Sequence, residues 1–389
     1  MSGAESSGGR KILFFSGARA DYGRLLPIWR AVQRCADLRM VLCVSGMHLV
    51  HGHGYTRSFF DKDGFPVDYE VPILSEEGDV ADGMAKALGK GLVAMNDILL
   101  RERPDLVFVF GDRSEMLIPA IAAGHMNIPV AHMAGGFATF GLVDELVRHA
   151  LTKMAHLHLA TSKKCAGRIE RMGEEPHRIH FVGSPAIDAI RAATYEDKAS
   201  LFARHGFDPG RPLAVVTFHP VTTEYESMEA QAEIFFSALG DLDAQLLITY
   251  PNLDLGGRLI VERLQRLQGC RVEKDLSMTG YLSFLKHADV MVGNSSSGFI
   301  EAPYFALPVV NVGNRQMGRD REANVVDVPN EREAIVSAVR GILGDPGLRE
   351  RIAAVFDNTY GDGTCAARTV EILRTVALGR VLLQKRMTY

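Results

Sequence analysis
The chain has 389 residues, 47% of them hydrophobic and 23% charged, with a formal net charge of -4. Those values describe a globular chain long enough for two domains, and the slight acidity gives no support for nucleic-acid binding. No run of about 18 apolar residues occurs, and the five cysteines (Cys35, Cys43, Cys165, Cys270, Cys365) are scattered without metal-type spacing, which argues against a membrane span, a zinc site or a disulfide framework and fits a reducing cytoplasm.

The opening stretch, residues 1–10, is small and polar and is predicted to be a disordered leader. "KILFFSG" reads as a buried strand, "LLPIWRAVQRC" as a helix and "RMVLCVSG" as a second strand. "PDLVFVFGD", "IPVAHMAGG", "HLHLATS" and "RIHFVGSP" follow, each short, apolar and ended by a small residue or an acid, with helix-like stretches between them. The second half repeats the rhythm in "PLAVVTFHP", "AQLLITYPN", "CRVEKD", "ADVMVGNSSS" and "PVVNVGN". Strands that are apolar throughout belong to parallel sheets covered on both faces. The expected fold is therefore α/β, with two doubly wound Rossmann-like domains divided near residue 190.

Ligands of such sheets bind beyond the carboxyl ends of the strands, so the residues placed there are the candidates. After the first strand stands "GARADYGR", with Arg19, Asp21 and Arg24. "GDRSE" supplies Asp112 and Glu115, and "GLVDELVRHA" supplies Asp144, Glu145, Arg148 and His149. These acids read either as proton-transfer groups or as first-turn residues that suit the helix dipole. In the second half, "HPVTTE" carries His219, either a functional group or a strand-end cap, and "PNLDLGGR" carries Arg258. His48, His51 and His53 lack a carboxylate or cysteine partner at useful spacing, so they read as a polar loop and no metal is expected.

"GNSSSGFIE" raises a sharper question, because a loop that only turns does not need three consecutive serines. Serine hydroxyls and backbone N–H groups at a helix start suit phosphate oxygens, which marks Ser295, Ser296, Ser297 and Gly298. Glu301, one turn further on, suits ribose hydroxyls. There is neither GxGxxG nor GxxxxGK[ST], so the ligand expected is a nucleotide held without a nicotinamide cofactor or an ATPase loop.

"GARADYGRLLP", "HGYTRSFFDKDGF", "PDLVFVFGDRSE", "IPVAHMAGG", "VRHALTKMAHLH", "GSPAID", "HPVTTE", "YPNLDLGGR" and "GNSSSGFIEAPYFALPVVNVGNRQMGR" resemble, in that order, the hydrolysing UDP-N-acetylglucosamine 2-epimerases. The sialic-acid and legionaminic-acid branch is the nearest, and the resemblance runs from about residue 11 to 370. It implies a fold of glycosyltransferase-B type: an N-terminal domain over 11–190, a nucleotide-binding domain over 191–366, and a C-terminal helix over 367–389 returning to the first. The substrate implied is a UDP- or GDP-linked 2-acetamido sugar, held in a cleft with no cofactor and no metal, by a cytoplasmic homodimer. The family eliminates the nucleoside diphosphate from C1 while removing the proton at C2, and water then adds to the resulting glycal. Matched by motif, Asp112, Glu115, Asp144, Glu145 and His219 fall at catalytic positions. Arg19, Arg24, Arg148, His219, Arg258, Ser295, Ser296, Ser297, Gly298, Glu301 and Arg315 fall at substrate or nucleotide positions.

One stretch departs from the pattern. Where that branch reads like "HIHGGEVTEG", this chain reads "HMAGGFATFG", so Ala134, Phe137 and Phe140 replace a histidine and two carboxylates. Phenylalanine moves no proton. Either the remaining acids suffice, or the cleft serves a non-epimerising hydrolase or glycosyltransferase, or it binds a nucleotide sugar with impaired turnover.

Overall fold
A strand buried on both faces must find a helix layer above and below, and both halves of the chain do so. The structure, a computed structural model, describes residues 9–51, 55–74, 83–139, 144–251, 256–274 and 276–388. The expected disordered leader falls mostly on residues 1–8, which lie outside the described residues. By contacts, the chain divides into one unit of 1–137, 144–189 and 360–389 and a second of 138–143 and 190–359.

Among the described residues, the first unit holds a sheet of seven strands in the order β3-β2-β1-β4-β5-β6-β7. They are β1 (Arg10–Ser16), β2 (Leu38–Ser45), β3 (Tyr69–Val71), β4 (Leu106–Phe110), β5 (Val130–Met133), β6 (Leu157–Ala160) and β7 (Ile179–Phe181). Every pairing is parallel, with Ile12 opposite Met40 on one side and Leu106 on the other. The order reverses between β1 and β4, and there the loops of a doubly wound sheet part to leave room for a ligand. Leu13, Phe15, Val107 and Val109 face the helices Met84–Glu102 and Leu117–His125 in one fully buried core.

The last stretch of chain belongs to this unit. Asp188 accepts from the N–H groups of Cys365 (3.0 Å) and Ala366 (2.8 Å), capping the helix Cys365–Thr375 from outside it. Buried Arg178 donates to the carbonyls of Val381, Leu382 and Gln384, and Lys385 pairs with Glu174 at 2.6 Å. A carboxylate also held by Lys153 and His158 is drawn down to a pKa of about 2, the hydrogen bonds outweighing its burial.

Among the described residues, the second unit holds six parallel strands in the order β10-β9-β8-β11-β12-β13. These are β8 (Leu213–Thr217), β9 (Gln245–Thr249), β10 (Arg271–Glu273), β11 (Val290–Gly293), β12 (Val309–Val312) and β13 (Val325–Val328). Its reversal lies between β8 and β11, whose register sets Gly293 opposite Thr217. Alternate residues of β8 and β11, Ala214, Val216, Val290 and Val292, pack against the helices Met228–Leu239 and Arg332–Leu343.

The helix read from "LLPIWRAVQRC" starts earlier, at Arg19 within "GARADYGR", and runs to Gln33 with Pro27 inside it. The reason is local, since Asp21 in the first turn accepts from the N–H groups of Gly17 (3.1 Å) and Ala18 (3.0 Å) and so satisfies the amides ahead of its own helix. The helix expected behind the serines is short, a single α turn at Ser297–Ile300 followed by a 3₁₀ turn at Ala302–Phe305 that includes Pro303.

Candidate active site
In the first unit the polar groups at the strand ends are organised by one arginine. Arg148 lies on the helix Asp144–Met154 with its side chain 1% exposed. Its Nε donates to Asp112 Oδ2 at 2.9 Å, its Nη2 meets the same oxygen, and its Nη1 meets Glu145 Oε2 and the Phe137 carbonyl. One guanidinium thus joins the loop after β4, the loop after β5 and the helix that follows it. Burial alone lowers an arginine pKa, yet Asp112 and Glu145 raise that of Arg148, so the cation is secure. Nε, Nη1 and Nη2 each meet a protein acceptor, so Arg148 fixes the directions of Asp112 and Glu145. Glu145 is shared with His149, whose Nε2 lies 3.0 Å from Oε1, and half-buried Asp144 opens the helix.

Glu115 is turned inward, 4% exposed, in a 3₁₀ turn at Ser114–Met116. Its Oε1 accepts from Arg113 Nε at 2.9 Å and presses against Gly17, where an added Cβ would lie 2.5 Å from that oxygen. Asp21 lies in the same buried cluster, and burial pushes its pKa up to about 7, with Glu115 adding to the rise and Arg113 opposing it. His48 completes the packing below: Nε2 lies 2.8 Å from Ser16 Oγ and Nδ1 2.7 Å from Thr56 Oγ1, and burial holds its pKa near 3. That histidine is a neutral structural link, whereas His51 is exposed and stacked on Tyr55 at 4.2 Å. His53 and Phe140 lie outside the described residues, as does the side chain of Arg19; Arg24 is half-buried on the helix Arg19–Gln33.

Of the altered positions after β5, Ala134 and Phe137 lie among the described residues, and both are buried. Ala134 takes a left-handed backbone (φ 68°), a conformation that costs an alanine about 1–2 kcal/mol. Phe137 is buried, with its ring 6.2 Å from that of Tyr360.

In the second unit the organiser is an amide. Asn294, 1% exposed, accepts from the His219 N–H at 2.7 Å and donates to the His219 carbonyl at 2.8 Å. Its own carbonyl accepts from Arg315 Nη1 (3.2 Å) and Gln316 Nε2 (2.8 Å). The preceding Gly293 is obligatory: φ is 136°, and a Cβ there would lie 1.9 Å from the Thr217 carbonyl oxygen. Asn294 therefore brackets three loops, those after β8, β11 and β12, and the sequence reading passed over it.

The serines are wired within the turn. Ser295 Oγ accepts from the Ser297 N–H at 3.3 Å, and the N–H groups of Gly298 and Phe299 bond the carbonyls of Ser295 and Ser296. Ser297 Oγ lies 2.8 Å from the hydroxyl of Tyr281, whose pKa is raised by burial and by the Glu301 carboxylate nearby. Half-buried Glu301 is placed one turn beyond the serines, as the sequence suggests. Half-buried His219 has its pKa driven well below the ordinary value by burial and then by Arg315, so it is neutral at physiological pH. Arg315 is itself largely buried, and Arg258 is exposed at the second position of the helix Gly257–Leu264.

Two doubly wound parallel sheets, each with its polar groups gathered at the carboxyl ends of the strands, define an α/β protein of glycosyltransferase-B type. More narrowly, residues 30–374 match the family described as UDP-N-acetylglucosamine 2-epimerase, and the chain belongs to that family. It is 37% identical to the UDP-N,N'-diacetylbacillosamine 2-epimerase (hydrolyzing) of Legionella pneumophila, over 98% of this chain and 100% of the relative. It is 32% identical to the GDP/UDP-N,N'-diacetylbacillosamine 2-epimerase (hydrolyzing) of Campylobacter jejuni, over 82% of this chain and 84% of the relative. A solved structure, the UDP-GlcNAc 2-epimerase of Neisseria meningitidis bound to UDP-GlcNAc, shares the fold with a TM-score of 0.79. Its identity is 17%, and the match covers 93% of this chain and 99% of that one. Among the described residues, no helix is long and apolar enough to cross a membrane.

Proposed function
We propose that this protein is a hydrolysing 2-epimerase of a nucleoside-diphosphate-linked 2-acetamido sugar, with a UDP- or GDP-linked 2,4-diacetamido sugar as the substrate that its relatives' names favour. The observation that carries the reading is the pair of carboxylates, Asp112 and Glu145, gathered on one buried arginine at strand ends of the first unit. A proton at C2, alpha to the anomeric carbon, needs a base in its departure and an acid in its return on the opposite face. Asp112 takes that proton as the C1–O bond to the diphosphate breaks, leaving a 2-acetamidoglycal. Water then adds its oxygen to C1 while C2 regains a proton, with Glu145 and Asp144 serving this step. The sum is sugar nucleotide plus water giving nucleoside diphosphate and the free 2-epimer.

The second unit holds the leaving group in this reading. Ser295, Ser296 and Ser297 take the phosphates and Glu301 the ribose, with Arg258 of the same unit supplying positive charge. His219, being neutral, acts as a hydrogen-bond partner of the departing diphosphate rather than as a cation. A homodimer in the cytoplasm belongs to the same proposal, and light scattering on the purified chain reads its mass.

A second reading is favoured by Phe137, which packs against Tyr360 and puts a buried aromatic ring where the resemblance implies an acid. It is a hydrolase that breaks the sugar–phosphate bond and keeps the configuration at C2. Incubation with UDP- and GDP-linked diacetylbacillosamine, followed by NMR of the free sugar, separates the two. The inverted sugar is expected; a retained configuration would replace the first reading with the second.

A further inference from the structure
The second unit has a cavity that the proposed chemistry does not use. Its volume is about 580 Å³, within the range that accommodates small ligands, and it opens beside the ends of β8, β12 and β13. The floor is apolar, from Phe218, Ile234 and Val312. Six polar side chains, Glu224, Ser227, Gln231, Asn294, Asn314 and Asn330, stand around it, and among the described residues no lysine, arginine or histidine lines it.

The direction of the hydrogen bonds decides what such a cavity accepts. Gln231 Nε2 donates to Glu224 Oε2 at 2.7 Å and to Ser227 Oγ at 2.9 Å, and Asn314 Nδ2 donates to Glu224 Oε1. Asn330 Nδ2 donates to the Gln231 carbonyl at 2.9 Å. The amide nitrogens are thus directed at protein acceptors, and the oxygens of Gln231, Asn314 and Asn330 remain to accept; that of Asn330 is buried with no partner. A lining with acceptors in surplus, one carboxylate and no cation repels phosphate. It suits a neutral ligand that brings many hydroxyl or amide donors and has an apolar face to lay on Phe218.

From this we infer that the cavity is a second binding site, for a free 2-acetamido sugar, separate from the nucleotide positions at Ser295–Ser297. The polyhydroxyl class follows from the lining, and the choice of an amino sugar rests on the proposed function. Its wall includes Asn294 and the 218–227 loop, the elements that hold the His219 backbone. A sugar lodged there stiffens the loop that carries His219, which gives the released product a route to restrain its own formation.

The test uses the full chain saturated with UDP and titrated with free N-acetylmannosamine, reading the melting temperature and the heat of binding. The sugar is expected to raise Tm to the same extent with and without UDP. Ala230→Trp fills the cavity from an exposed position on the helix Met228–Leu239, and it is expected to weaken the sugar at least tenfold while UDP affinity stays within twofold. Asn314→Ala, also at an exposed residue, is expected to weaken it less, in the same direction. No sugar response in the wild type, abolition of the response by UDP, or an unchanged response in Ala230→Trp would each overturn the inference. A missing sugar response with turnover intact rejects only this site, whereas a sugar response without turnover rejects only the proposed reaction.

Discussion

The two units finish their strands with different chemistry. In the first, charge meets charge: Arg148 is buried between Asp112 and Glu145, and half-buried Arg113 pairs with Glu115 beside Asp21. In the second, an amide does the joining, and its histidine is neutral. The contrast is physical before it is functional. Ion pairs to a buried arginine fix the direction of carboxylates, whereas a buried amide fixes a loop backbone without adding a charge of its own. In the proposed reaction the first sheet moves the proton and the second holds the leaving group.

Substitutions sharpen or break that contrast. The largest effect is expected from Asp112→Asn, which keeps shape and loses the base: kcat should fall about 10²–10⁴-fold with UDP binding unchanged by calorimetry. Loss of UDP binding instead would erase the division of labour. Arg148→Met should follow, because it strands two carboxylates; denaturant unfolding should show about 3–5 kcal/mol less stability, and Arg148→Lys should recover only part of it. Asn294→Ala releases a buried N–H and carbonyl of the His219 loop, an expected cost of about 1–3 kcal/mol, with weaker UDP binding and no change in the first unit's hydrogen exchange.

A slope with pH tests the first unit's buried cluster. The Asp21 carboxyl titrates near 7 in the folded protein against 3.8 ordinarily. Between those values the folded chain keeps a proton that the unfolded chain has lost, so stability falls as pH rises, by up to about 1.4 kcal/mol per unit. Asp21→Asn stays neutral and accepts the same amides, and it should flatten that decline between pH 4 and 7. An unchanged slope would remove Asp21 from the buried charge cluster.

Much of the fold was legible because its strands are apolar without interruption, as in "LVFVF" and "LAVVT". The edge strands β3 and β13 were not, since Tyr69–Val71 is three residues long and Val325–Val328 carries an exposed pair at its centre. The helix was legible from Leu25 onward, but its first turns from Arg19 were hidden by Gly23 until Asp21 is seen to satisfy the amides before them. Asp112, Glu145 and the serine turn could be marked from their places after strands. What Arg148 and Asn294 do could not, because each acts on loops brought together by strand pairing: β4 beside β5 for one, β8 beside β11 for the other. The signal for Asn294 was present in Gly293, whose left-handed backbone pins the next side chain across the sheet.

Turnover in D₂O tests the central claim most directly, with the C2 hydrogen of the released sugar read by NMR. Removal and return of that hydrogen by the first unit's carboxylates predicts a free, inverted sugar carrying deuterium at C2. A free sugar with protium at C2 would contradict it.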